Sequence, residues 1–385
     1  MRLLPIILFI FNLLCYSCKT DTKKIQASPT DSISELNITY ANGFTITQHD
    51  NYRHIKVTAP WPEAKDTLHY ILYPKNSKKP KINIDATFIG TPVQSVVVTS
   101  TTDIPMLEVL EIDSLLVGFP QTQYISSEKT RKRVIDGKVT ELGNEQNINV
   151  EALLELNPNL VIGFSTTGQN ATYELLKKSG IPVVINGSWL EQHPLGRTEW
   201  IRFIASFFHK EDKAKTVFNT IKKEYKTTAD KVKALTKKAT ILPGSLFKDV
   251  WYVPGGDSYM AKFYKDASLS YAWAQTKQTG SLSLSIEEVL DKAQDADIWI
   301  TTKTLSSLKE LYEENSKYEL FTAFENKNVY STFNKGSGSG TDFYELGSLR
   351  PDLILKDLIK IGHPGVLPDY DLYFFKQLNQ NVDPK

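Results

Sequence analysis

Few residues in this chain combine the types and spacing that chemistry needs. The six histidines are His49, His54, His69, His193, His209 and His363. None forms an H-x-H or H-x-x-E-H pair, so direct capture of zinc or manganese by the protein is not expected. There is no G-x-G-x-x-G fingerprint, no P-loop and no nucleophile elbow on a strand-to-helix turn. Gly336-Ser337-Gly338-Ser339-Gly340 fits the elbow by letter, but it follows no apolar strand directly and opens no evident helix. It reads as a mobile or ligand-contacting loop. Cys15 and Cys18 have the C-x-x-C spacing of a redox or metal motif, yet they close a hydrophobic stretch and have no partner cysteines elsewhere. Glu151 and Glu287 could mimic a glycosidase pair, but both sit at helix starts on separate halves of the chain. The sequence therefore predicts no enzyme, no catalytic residue and no cofactor. A surface protein that binds a partner through its N-terminal strands is the other non-transport alternative.

The first residues point to export. Met1-Arg2 is followed by an apolar run, Leu3 to Leu14, too short to span a bilayer. Small Ser17 precedes Cys18, an arrangement that resembles the bacterial lipobox, whose cysteine is lipidated. Residues 1–18 are thus read as a lipoprotein signal peptide with Cys18 as the lipidation site, and 19–35 as a polar tether. The expected location is the periplasm, lipid-anchored to a membrane whose leaflet is left open. The 385 residues are 41% hydrophobic and 23% charged with net charge +1. That balance gives no general drive toward nucleic acid, and the length suits about two domains. An 11% aromatic content suits a protein that grips a large apolar ligand, although core packing accounts for aromatics equally well.

Elements that could position a site follow from periodicity. Residues 36–92 alternate as short strands separated by turns and form a β-rich segment. From 93 to 196 apolar strand runs such as Val96-Val97-Val98, Leu160-Val161-Ile162 and Val183-Val184-Ile185 alternate with helices, the rhythm of a parallel sheet. Residues 197–237 lack Pro and Gly. They predict a helix ending near His209 and a long one from Glu211 to Thr236, able to join two lobes. Residues 238–385 resume the strand–helix rhythm. The predicted fold is α/β, with two Rossmann-like lobes on parallel sheets joined by one long helix.

The lobes share a short repeat. Asn149-Val150-Glu151-Ala152-Leu153-Leu154 matches Ser285-Ile286-Glu287-Glu288-Val289-Leu290. Each begins with a good N-cap, and Ser285-x-x-Glu288 is a capping box. A glutamate at a helix start complements the macrodipole and needs no further role. Equivalent acids on two lobes could also dock on two symmetric cationic sockets of a dimeric partner.

From about Val93 to Leu378 the chain resembles the substrate-binding proteins of ABC importers for ferric siderophores, haem and vitamin B12. The segments that carry the resemblance are Ile148 to Ile162, where Asn159 stands for the usual aspartate, Ser179 to Val184, Arg350-Pro351-Asp352-Leu353 and His363-Pro364. It implies a monomeric delivery protein with a small-molecule ligand between the lobes and an ABC permease dimer as partner. A ferric siderophore is favoured, with haem or vitamin B12 as alternatives. It carries the docking role to Glu151 and Glu287, since Glu288 is better placed as a cap. Cleft candidates lie on loops after strand ends, where open α/β sheets bind ligands. They are Thr101, Tyr124, Thr166, Trp189, Tyr259 and Tyr344, with Arg197 and also Arg350 as possible partners for ligand carboxylates or phosphate.

Overall fold

A computed structural model describes residues 34–144 and 147–379. The proposed signal peptide, Cys18 and most of the tether lie outside the described residues.

The N-terminal lobe is built on five parallel strands in the order Val183–Ile185, Leu160–Gly163, Val96–Val98, Leu116–Phe119 and Thr140–Glu141. The three apolar runs singled out by periodicity are its central and edge strands, buried throughout as a sheet covered on both faces requires. Helices Glu128–Ile135, Val150–Leu156 and Ala171–Lys178 start on Ser127, Asn149 and Asn170, whose side chains accept backbone N–H groups of the first turn. The C-terminal lobe repeats the plan in the order Ser270–Tyr271, Thr240–Pro243, Ile298–Thr301, Val329–Ser331 and Lys376–Gln377, with only the last strand antiparallel. A small antiparallel sheet of Leu246–Phe247, Val250–Pro254 and Ser281–Leu284 is added beside it.

The connection differs in detail from the expected one. Helices Pro194–Glu199 and Ile201–Ser206 lead into Glu211–Asp230, a helix of 20 residues, near 30 Å long. The expected extension to Thr236 does not form. After Asp230 the chain winds in tight turns, with Val232 N–H bonding the Ala229 carbonyl and Leu235 N–H that of Val232. Val232 is buried by this turn and so continues the apolar periodicity without continuing the helix. Phe218, Ile221 and Tyr225 are buried on one face, Phe218 meeting the Tyr40 ring and Tyr225 that of Phe263, and the helix also lies along the closing helix Pro351–Gly362.

The N-terminal segment is a five-stranded sheet starting at Ser34, so the last residues assigned to the tether belong to it. Its strands follow chain order and pair antiparallel except the last two, Leu68–Pro74 and Thr87–Thr91, which run parallel. The basic 75–86 connection is long enough to return the chain for that pairing. This sheet is fastened to the helical connection. Buried Glu199 accepts the N–H groups of Thr39 (3.0 Å), Tyr40 (2.6 Å) and Ala41 (3.0 Å). Glu191 accepts those of Asn42 (2.9 Å) and Gly43 (2.8 Å) and the Trp200 indole N–H (3.0 Å). Phe44 packs on Trp200 with centroids 4.6 Å apart. A β-carbon on Gly43 would fall 2.9 Å from that indole, which explains the glycine.

Candidate functional site

Three adjoining cavities of about 310, 290 and 380 Å³ share Tyr344 as a wall. The first lies at the seam between lobes. Thr99, Ser100 and Thr101 follow the strand Val96–Val98, Gln121 and Tyr124 follow Leu116–Phe119, and Phe164 follows Leu160–Gly163. These are the C-terminal ends of parallel strands, where such sheets present loops to ligands. The opposite wall is the Gly/Ser run with Ser339 and Gly340.

Thr101, Tyr124 and Tyr344 line this cavity, and Arg197, Tyr259 and Tyr344 line the second. Thr166 is exposed and Trp189 is 37% exposed, and neither lines these three cavities. Sequence reasoning passed over Phe247, Tyr252 and Phe343, which line the third cavity. The inside–outside alternation of Trp251-Tyr252-Val253, with Tyr252 the exposed member, was the available signal.

Arg197 takes a position other than that of a free anion socket. Its Nε donates to the Glu191 carbonyl (3.1 Å) and its Nη2 to the Trp189 carbonyl (2.8 Å). Its guanidinium carbon stacks 3.6 Å from the Tyr259 ring centroid. Burial pulls the guanidinium pKa down, and burial pushes the Tyr259 hydroxyl up to about 12. The side chain thus clamps the helical connection to the C-terminal lobe. Arg350 is also occupied, paired through two nitrogens with Asp352 at 2.9 and 2.8 Å.

The seam is held by carboxylates of the short helix Asp342–Glu345. Glu345 accepts the N–H groups of Ser126 (2.6 Å) and Ser127 (2.9 Å) from the other lobe. Asp342 accepts the Ser126 hydroxyl. Burial raises the Glu345 carboxyl to about 7 against the pull of the two amides, with Glu108 and Asp342 adding to the rise. The Gly/Ser run, expected to be mobile or ligand-contacting, lines the seam cavity as a strap whose Ser339 N–H donates to the Gln123 carbonyl at 3.0 Å. A β-carbon on Gly340 would collide with the Tyr124 carbonyl and approach Ser126 N to 3.0 Å. Gly340→Ala is therefore expected to part the seam. Ligand affinity should fall about tenfold, the loss that follows from ~1.4 kcal/mol of misfit, while the unfolding midpoint moves little. Unchanged affinity in a titration would contradict this account of the strap.

Glu151 is exposed in the first turn of its helix, where Asn149 supplies the cap by accepting Ala152 N–H at 3.1 Å. In the matching helix Ser285 and Glu288 form the reciprocal capping box, leaving Glu287 exposed with Lys317 Nζ at 2.8 Å. Among the described residues no three histidine, cysteine, aspartate or glutamate side chains gather as metal ligands.

Two α/β lobes with a hydroxyl- and aromatic-lined cleft at their strand ends define a solute-binding architecture. Residues 96–335 match the family model for periplasmic binding proteins, and the chain belongs to that family. Its members bind solutes for ABC importers and are not enzymes. The chain is 28% identical over 312 residues to an uncharacterized lipoprotein of Methanocaldococcus jannaschii, covering 78% of this chain and 72% of that one. It shares the fold of a periplasmic haem-binding protein, RhuT, from Roseiflexus sp. RS-1, at 20% identity and TM-score 0.57 over 71% of this chain and 99% of that one. It is also similar in fold to an Fe3+-hydroxamate transport system protein of Saccharomonospora viridis, at 16% identity and TM-score 0.54 over 71% and 94% of the two chains.

Proposed function

We propose that this protein is the lipid-anchored, extracytoplasmic substrate-binding component of an ABC importer, and that it carries a ferric siderophore in the inter-lobe cleft. The observation that carries the reading is the seam cavity, walled by strand-end loops of one lobe and by the Gly/Ser strap of the other. Haem and vitamin B12 are the alternative cargoes within the same reading. Thr101, Tyr124, Tyr259 and Tyr344 are the proposed contacts, Arg197 a support for Tyr259, and Cys18 the lipid attachment site. Titration with ferric chelates, haemin and cobalamin, followed by tryptophan fluorescence, is expected to give micromolar or tighter binding for one class. Weak response to all three overturns the reading.

Glu151 and Glu287 are proposed to dock on the permease dimer. Both are exposed and neither lines the seam cavity. The double variant Glu151→Ala/Glu287→Ala is expected to bind ligand as the parent does. Uptake in cells should fall by more than tenfold, the equivalent of losing two rim charge contacts of ~1 kcal/mol each. Equal uptake would remove the docking role.

A further inference from the structure

The cleft is chemically divided, and the division bears on what it can hold. The seam cavity carries the larger share of hydroxyls, with Ser100, Thr101 and the Gln121 amide on its N-terminal wall beside the Phe119 and Phe164 rings. The cavity on the C-terminal lobe is lined mainly by Phe247, Tyr252, Met260, Phe343 and Phe375, with Tyr344 common to both. Phe247 and Tyr252 belong to the antiparallel hairpin Leu246–Phe247/Val250–Pro254 and are 62% and 43% exposed. Two large rings left in water beside an apolar cavity offer apolar surface that a ligand would gain free energy by covering.

Charge narrows the choice further. Among the described residues, none of those lining the three cavities is an aspartate or glutamate, and the cations are Arg197 and Lys303. Arg197 is tied to two carbonyls and to the Tyr259 ring. Lys303 is paired with the Glu314 carboxylate at 2.9 Å. Lys248, at the hairpin tip, lies 5.6 Å from the Phe247 ring and does not line the cavity. A multiply charged ligand would lose hydration here and meet no counter-charge that is not already engaged.

We propose that the cleft takes an amphiphilic small molecule of low net charge, its hydrogen-bonding part against Ser100, Thr101 and Gln121 and its apolar part over Phe247, Tyr252 and Tyr344. This rests on the cleft being the ligand site, as argued above. It sets a neutral or singly charged chelate with an apolar face ahead of a triply charged one.

The test uses 8-anilinonaphthalene-1-sulfonate, an aromatic probe with one negative charge, so that the apolar half is examined whatever the natural cargo. The full mature chain is expected to enhance its fluorescence. Phe247→Ser and Tyr252→Ala should each weaken probe binding about tenfold. Ile135→Ser, at a side chain 80% exposed and outside these cavities, should leave it unchanged. Equal binding by the hairpin variants, or equal loss in the Ile135 variant, overturns the proposal. In competition, a neutral ferric trihydroxamate should displace the probe at concentrations where a triply anionic ferric tricatecholate does not, and the reverse order overturns the charge assignment. Hairpin-dependent probe binding that neither chelate displaces supports the divided cleft and removes the ferric cargo instead.

Discussion

Glu199→Ala is expected to release the N-terminal sheet and to lower the stability of the protein by about 3–5 kcal/mol, the usual result of removing one partner from a buried charged network. The side chain is fully buried, and three successive amides, of Thr39, Tyr40 and Ala41, end on its carboxylate. Alanine leaves those donors without an acceptor, at about 1–3 kcal/mol each when no water reaches them. It also removes the carboxylate 3.7 Å from Arg202 Nη1, leaving that nitrogen its bond to the Asn37 carbonyl. Glutamine keeps one carbonyl oxygen but turns an NH2 toward the remaining donors, so Glu199→Gln should fall between parent and alanine variant. Limited proteolysis within residues 36–43 reads the local release, and the urea midpoint reads the global loss. A midpoint and cleavage pattern indistinguishable from the parent would show that the cradle does not hold the sheet.

Opening of the seam should become easier as pH rises from about 5 to 8. The Glu345 carboxyl stands at about 7 in the closed form against an ordinary 4.5, because burial opposes its ionisation. The closed form therefore binds this proton more tightly than an opened form in which the group meets water. Its contribution to closure is complete below the ordinary value and is lost as pH rises through the raised one, a change of up to about 3 kcal/mol. The charged groups facing it, Glu108 and Asp342, act in the same direction. Buried Asp103 is raised to about 7 as well, held down only by Asn186, so whole-molecule unfolding mixes two groups of the same sign. The local readout is exchange of the Ser126 and Ser127 amides, corrected for the intrinsic pH dependence. Protection should decline between pH 5 and 8 in the parent and stay level in Glu345→Gln. Protection that increases with pH in the parent would reverse the assignment.

Much of the architecture is legible because parallel strands buried on both faces leave unbroken apolar runs, as at Val96–Val98 and Leu160–Ile162. The repeat around Glu151 and Glu287 is legible for a local reason too, since caps act within four residues. What escaped is non-local. Nothing near Glu191 or Glu199 announces that their partners are amides about 150 positions earlier. The Gly/Ser run reads only as a loop, because the constraint on Gly340 comes from the Tyr124 carbonyl of the opposite lobe. Arg197 looks available until Tyr259 is brought beneath it. The apolar pattern runs past the end of the helix from Glu211 because the turn after Asp230 buries Val232 at a nearly helical interval.

The disposition of the indoles has an optical consequence. Trp200, Trp251 and Trp299 are fully buried, and the last two donate their N–H groups to the carbonyls of Pro243 and Gly244, which edge the apolar cavity. A guest there cannot touch those rings and must dim them at a distance, by accepting their excitation. A coloured chelate or porphyrin will do so strongly, whereas a colourless guest will leave the emission of these three indoles nearly unaltered and is better weighed by its heat of binding.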